Sequence, residues 1–97
     1  MITQTIKLQY GEVQGILIDL GAAPLILITA KQGYLMCSYL NMVTANKLGD
    51  VAAKVTGVKT IEDALNATIV ECSEKAKHIG LNEGIKGREF LNHIMEE

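Results

Sequence analysis

The chain has 97 residues, a formal net charge of −2, 48% apolar residues and two cysteines. That length fits one domain, and its scattered lysines and single arginine lack the basic stripe with which nucleic-acid binders displace counterions. No apolar run approaches the roughly 18 residues of a membrane span. The first residues alternate where a signal peptide would be continuously apolar, and Cys37 and Cys72 are too few for a disulfide scaffold, so a reduced, cytoplasmic setting is expected.

In chain order, residues 3–9 alternate as a strand, with Ile6 and Leu8 on one face and Thr5, Lys7 and Gln9 on the other. Residues 10–12 form a turn. Residues 13–20 make a second strand, in which Gly15 marks a bulge or a close backbone approach. Pro24 closes a break over residues 21–24, since proline removes a ladder donor. Residues 25–30, LILITA, are a continuous apolar run, as in a strand covered on both faces. A tight turn at Lys31, Gln32 and Gly33 leads into a strand over residues 34–40, making an antiparallel hairpin at the sheet centre.

Asn41 is a suitable N-cap for a helix over residues 42–48, which Gly49 ends. Residues 54–58 read as a further strand. Thr60 with Asp63, and Thr68 with Glu71, stand at capping-box spacing. They predict consecutive helices over residues 60–66 and 68–79 with a bend between them, a short strand over 68–72 being the alternative. Gly80 is the matching C-cap. Residues 84–87 read as a flexible joint whose glycines permit positive φ. The last helix buries Phe90, Leu91, Ile94 and Met95, with Ile85 and Phe90 spaced as a hydrophobic staple and Glu89 able to cap its start. The sum is a single α+β domain over residues 1–97: a mostly antiparallel N-terminal sheet followed by short helices packed on one face.

Several motifs in order carry a resemblance: Gly33-Tyr34-Leu35-Met36-Cys37, Leu40, Gly57-Val58-Lys59-Thr60-Ile61-Glu62-Asp63, Ala76, Gly80, Gly84-Ile85, Gly87-Arg88-Glu89 and Leu91. Across nearly its whole length the chain resembles the YunC-like proteins of bacteria and archaea, the domain of unknown function 1805. The resemblance implies an α+β domain whose N-terminal β region drives tetramer formation, and it implies no established activity. Ser38 departs from the family pattern, which leads one to expect glycine after the cysteine. A serine there narrows any approach of a ligand to the backbone.

Two places carry candidate chemistry. Cys37 can serve as a nucleophile if a cation or helix N-terminus lowers its pKa, yet His78 and His93, the usual partners, fall on solvent-facing helical positions. The competing reading is a buried thiol acting as a small hydrophobe. Gly57, Lys59 and Thr60 join a strand to a helix start, where backbone N–H groups and the Lys59 ammonium favour an anion. There Thr60 is expected to cap the Asp63 amide and Asp63 to cover the Thr60 amide. Arg88, beside the 84–87 joint, is a second candidate for gripping an anion. No metal is expected, because neither i, i+4 ligands nor a C-x-x-C pair exists, and no cofactor is expected either.

Two functions follow. The first is a small cytoplasmic homo-oligomer, a dimer or tetramer through strand-rich residues 1–30, acting as a small-molecule-binding, anion-binding or assembly module. The second is an enzyme that uses Cys37 on an anionic substrate held by Lys59 or Arg88. The first is favoured, because Cys37 has no proton-transfer partner in the sequence. The expected partners are further copies of the chain and a small anion, with neither nucleic acid nor membrane.

Overall fold

A computed structural model describes residues 1–95. Among them are six strands and four helices: β1 (Ile2–Leu8), β2 (Gly11–Asp19), β3 (Pro24–Thr29), β4 (Tyr34–Met36), α1 (Met42–Leu48), β5 (Ala52–Lys54), α2 (Ile61–Asn66), β6 (Glu71–Cys72), α3 (Glu74–His78) and α4 (Gly87–Met95). The strands lie in sequence order in one sheet, antiparallel except where β4 and β5 run parallel. The fold is α+β, as its sequence pattern predicts.

The first hairpin is regular. Seven residue pairs join β1 to β2, from Ile2 opposite Leu17 to Leu8 opposite Gly11, so the turn is Gln9–Tyr10 and starts one residue before the predicted one. Its turn end is held to α4, where the Gln9 amide donates to Asn92 Oδ1 at 3.2 Å. Gly15 stays in register, so it is a close approach and not a bulge. A Cβ there would lie 3.0 Å from Ile61 Cγ2 of α2, which presses on the hairpin at that point. Pro24 opens β3, the strand position where a missing N–H does least harm.

Side-chain alternation divides the sheet into two faces. On one, Ile6, Val13, Ile26, Ile28, Leu35 and Ala53 meet Ile61, Leu65, Ala76, Phe90, Leu91 and Ile94 from α2, α3 and α4 in the main core. On the other, Met36 and Ala52 meet Met42 and Ala45 of α1 in a smaller cluster. Three helices therefore share the expected face, while α1 covers the opposite one. This arrangement follows from the parallel β4–β5 pair, which needs a crossover helix between its strands.

The local signals at α1 hold. Asn41 Oδ1 accepts from the Val43 amide at 2.8 Å, and Gly49 ends the helix in a left-handed conformation at φ 74°. Later elements depart from expectation. The strand predicted at residues 54–58 lies at Ala52–Lys54, drawn back by pairing with β4 and β6. The helix predicted over residues 68–79 is replaced by the strand alternative followed by a shorter helix. Thr68 bridges to Lys86, and the amides of Ile69 and Val70 donate to the carbonyls of Ile85 and Lys54. Tertiary pairing thus takes the amides a helix would have used.

The cap that starts α3 is Ser73, not Thr68. Its fully buried hydroxyl accepts from the Ala76 amide at 3.3 Å and from the Ala52 amide at 3.0 Å. Beside it, Asn46 Oδ1 of α1 accepts from the Glu74 amide at 2.8 Å, joining α1 to α3. Gly84 takes φ 100° as expected of the joint, but Gly87 has a different role. A Cβ on Gly87 would sit 2.7 Å from Leu35 Cδ2 and 2.5 Å from the Ala64 carbonyl, so its hydrogen lets α4 close on α2 and the sheet.

Candidate functional site

Cys37 lies one residue beyond β4, where the predicted strand over residues 34–40 gives way to a turn. Its pairing explains the change. The Cys37 amide still donates to the Ile26 carbonyl at 3.2 Å, but the Cys37 carbonyl turns away to accept from Leu40 at 3.2 Å. The Ile26 amide, deprived of that acceptor, donates to Cys37 Sγ at 3.2 Å. The thiol therefore completes the ladder, and at 4% exposure it has little contact with water. His78 and His93 are exposed, and His93 Nε2 stands 3.3 Å from the Ile79 carbonyl, engaged with its own neighbourhood. Cys72 is also buried; desolvation pushes its thiol above the ordinary range, with the Glu83 charge adding to the effect.

At the α2 start, Thr60 Oγ1 accepts from the Asp63 amide at 2.9 Å, as the capping spacing predicts. Asp63 Oδ2 accepts from the Lys59 amide at 3.2 Å, one residue earlier than the expected Thr60 amide. Arg88 does reach this region, but its Nη2 binds Glu62 Oε2 at 3.0 Å, and Asn66 donates to the same oxygen at 3.1 Å. The turn's own carboxylates thus occupy positions that an incoming anion would take. Gly57, with φ 68°, lies instead beside Cys37, Ser38 and Val58 around a small cavity of about 80 Å³. The structure brings Gly57 to Cys37 and Arg88 to the α2 turn.

The larger opening has no counterpart in the sequence reading. Between α1 and the outer faces of β3 and β4 runs a groove of about 470 Å³, floored by Leu27, Met36 and Ala45 and edged by Tyr39, Leu40 and Thr44. Thr29 and Tyr34 line both this groove and a second depression of about 350 Å³, which also takes in Lys31, Asp50 and Lys75. At their junction, the Tyr34 hydroxyl donates to Asp50 Oδ2 at 2.7 Å. Burial and that hydrogen bond together push the Tyr34 pKa up to about 12. Gly33, next to it, is required by the close β4–β5 approach, since a Cβ there would run into the Val51 carbonyl. The groove joins residues separated in the chain and brought together by α1 crossing the sheet. Only the apolar run of β3 hinted that this face is covered.

Among the described residues, no group of three or more His, Cys, Asp or Glu side chains converges as metal ligands, and no helix is long and apolar enough to cross a membrane. The geometry defines a small α+β scaffold with an apolar groove on the sheet face away from its main core. Residues 36–94 match the family model described as Domain of unknown function (DUF1805), and the chain belongs to that family, the YunC-like proteins of bacteria and archaea. It is 34% identical over 68 residues to the uncharacterized protein YunC of Bacillus subtilis (strain 168), spanning 66% of this chain and 67% of that relative. The crystal structure of a protein of unknown function, TA1206 from Thermoplasma acidophilum, superposes with a TM-score of 0.91 at 42% identity. That match covers 96% of this chain and 91% of the other.

Proposed function

We propose that this chain is a homo-oligomeric small-molecule-binding module whose copies meet through the outer face of the N-terminal strands. The observation that carries this reading is an apolar row on that face. Ile16 and Ile18 of β2 stand opposite Leu27 and Leu25 of β3; the leucines rest against the two core clusters, whereas neither isoleucine packs into either one. Beyond the end of β2, Leu20 is 49% exposed. A chain this small gains by covering such a surface, and sheet faces of this kind pair readily with a second copy. The row leads toward the groove under α1, so assembly and ligand site would lie side by side.

Two unpaired thiols suit a cytoplasmic, reducing setting for this module. Cys37 serves it as a structural residue, since its sulfur is committed to the Ile26 amide.

Light scattering at micromolar concentration tests the assembly. The expected mass is a dimer or tetramer, and Ile18→Lys should reduce it to the single-chain 10.5 kDa. A wild-type chain that is monomeric at that mass would overturn the reading.

A further inference from the structure

We infer that the groove and the polar depression beside it form one elongated site for a water-soluble amphipathic carboxylate, such as a medium-chain fatty acid. This assignment rests on the binding-module reading and names its ligand class. The two cavities share Thr29 and Tyr34 and so adjoin, with the Tyr34–Asp50 hydrogen bond on the side of the second. At about 470 Å³, the first falls within the range of small-molecule sites, and its floor of Leu27, Met36 and Ala45 accepts an alkyl or aryl body.

The second cavity sets the sign of the head group. Lys31, from the β3–β4 turn, and Lys75, from α3, face it together with Asp50. The Asp50 carboxylate already receives the Tyr34 hydroxyl, and among the described residues neither lysine forms an ion pair. Two ammonium groups against one hydrogen-bonded carboxylate leave the end net positive. An anionic head is therefore favoured, and a cationic one would have to compete for Asp50 alone. The long lysine stems also let the charges follow heads of different size while their methylenes rest on the cavity wall.

The test is a titration of the wild-type protein with decanoate, followed by backbone amide NMR, with decanol and decyltrimethylammonium as neutral and cationic comparators. Decanoate should shift Leu27, Leu40 and Thr44 together with Lys31 and Lys75, and it should bind tighter than either comparator. The double variant Lys31→Glu with Lys75→Glu should weaken decanoate about tenfold, as two exposed ion pairs warrant, and leave decanol unchanged. Filling the groove with Thr44→Trp, an exposed position on α1, should weaken decanoate and decanol alike.

Equal affinity for decanoate and decanol would overturn the charged end of the site, and tighter binding of the cation would reverse its sign. Shifts confined to other surfaces, or none at millimolar decanoate, would overturn the site itself. Running Ile18→Lys in parallel separates this inference from the assembly. Decanoate bound by the variant and by wild type alike supports the site whatever the oligomeric state. Binding to the variant alone would overturn the site in the wild-type protein, since a second copy would then fill the groove.

Discussion

The β1–β2 hairpin and the unit from β4 onward are held together by different means. The hairpin is a long regular ladder that meets the body along its inner face, through Ile6, Leu8, Val13, Gly15 and Leu17, and at its turn through Gln9 against Asn92. The later unit has short strands, and side chains complete what its backbone leaves open: Ser73 at Ala52, Asn46 at Glu74, Cys37 at Ile26 and Tyr34 at Asp50. The family model begins at residue 36 and so matches the second unit, whereas the Thermoplasma structure spans both. Regular pairing builds a surface that others can cover. Irregular pairing with specific side-chain acceptors builds a body whose open backbone groups are closed by named side chains.

The contrast is tested most severely in the core. Phe90 is fully buried between α4 and the sheet, and Phe90→Ala should lower unfolding free energy by about 3–5 kcal/mol in urea denaturation. On the outer row, Ile16→Thr should change the stability of the isolated chain by less than about 1 kcal/mol, because that residue joins neither cluster. Comparable losses at the two positions would erase the distinction between body and surface.

Next comes Ser73→Ala, which strips an acceptor from two buried amides and removes a helix cap. A loss of about 2–3 kcal/mol is expected, measured by the same denaturation. Replacement by threonine should recover part of it if the hydroxyl, and not side-chain volume, is responsible.

Cys37 permits a finer test. Cys37→Ala leaves the Ile26 amide without an acceptor and should cost about 1–3 kcal/mol, whereas Cys37→Ser keeps an acceptor and should cost less. Hydrogen exchange at the Ile26 amide should quicken in the alanine variant and remain slow in the serine variant. Equal exchange in both would show that the sulfur does not hold that amide.

The smallest effect is read by pH. Tyr34 keeps its proton up to about pH 12, above the ordinary value near 10 that it has in the unfolded chain. Its contribution to stability is therefore present in full below about pH 10 and is lost as the pH rises through about 12. Phenolate absorption should show a late phase near pH 12, and Tyr34→Phe should remove it. Late titration that persists in the variant would assign it elsewhere.

How much of this was legible depends on whether a signal is local. Alternation places β1, a continuous apolar run places β3, and Asn41 with Gly49 bounds α1, because those signals lie within the elements they define. Gly15 marked a close approach, though not which helix approaches. Thr68 misled, since its capping spacing was outweighed by pairing with Lys86, eighteen residues on. The strand expected over residues 34–40 outruns β4 because nothing in GYLMCSYLN indicates that Sγ will replace a carbonyl as the acceptor for Ile26. The α2 turn and its cap were visible in the sequence, but the Arg88–Glu62 pair that fills its neighbourhood was not. The groove could not be read at all, because the crossing of α1 over the sheet depends on a parallel β4–β5 pair that no local pattern encodes.

The Asn46–Glu74 hydrogen bond also gives α1 a mechanical bias. The helix is fastened near its C-terminal end, by Asn46 to the start of α3 and by Asp50 to Tyr34. Its other end follows a turn held by an exposed bond of 3.2 Å from the Tyr39 hydroxyl to the Ala23 carbonyl. The Asn41 end is seated by packing instead: Met42 is 3% exposed against Met36 and Ala52, so the helix is keyed to the sheet by polar bonds at one end and by an apolar plug at the other.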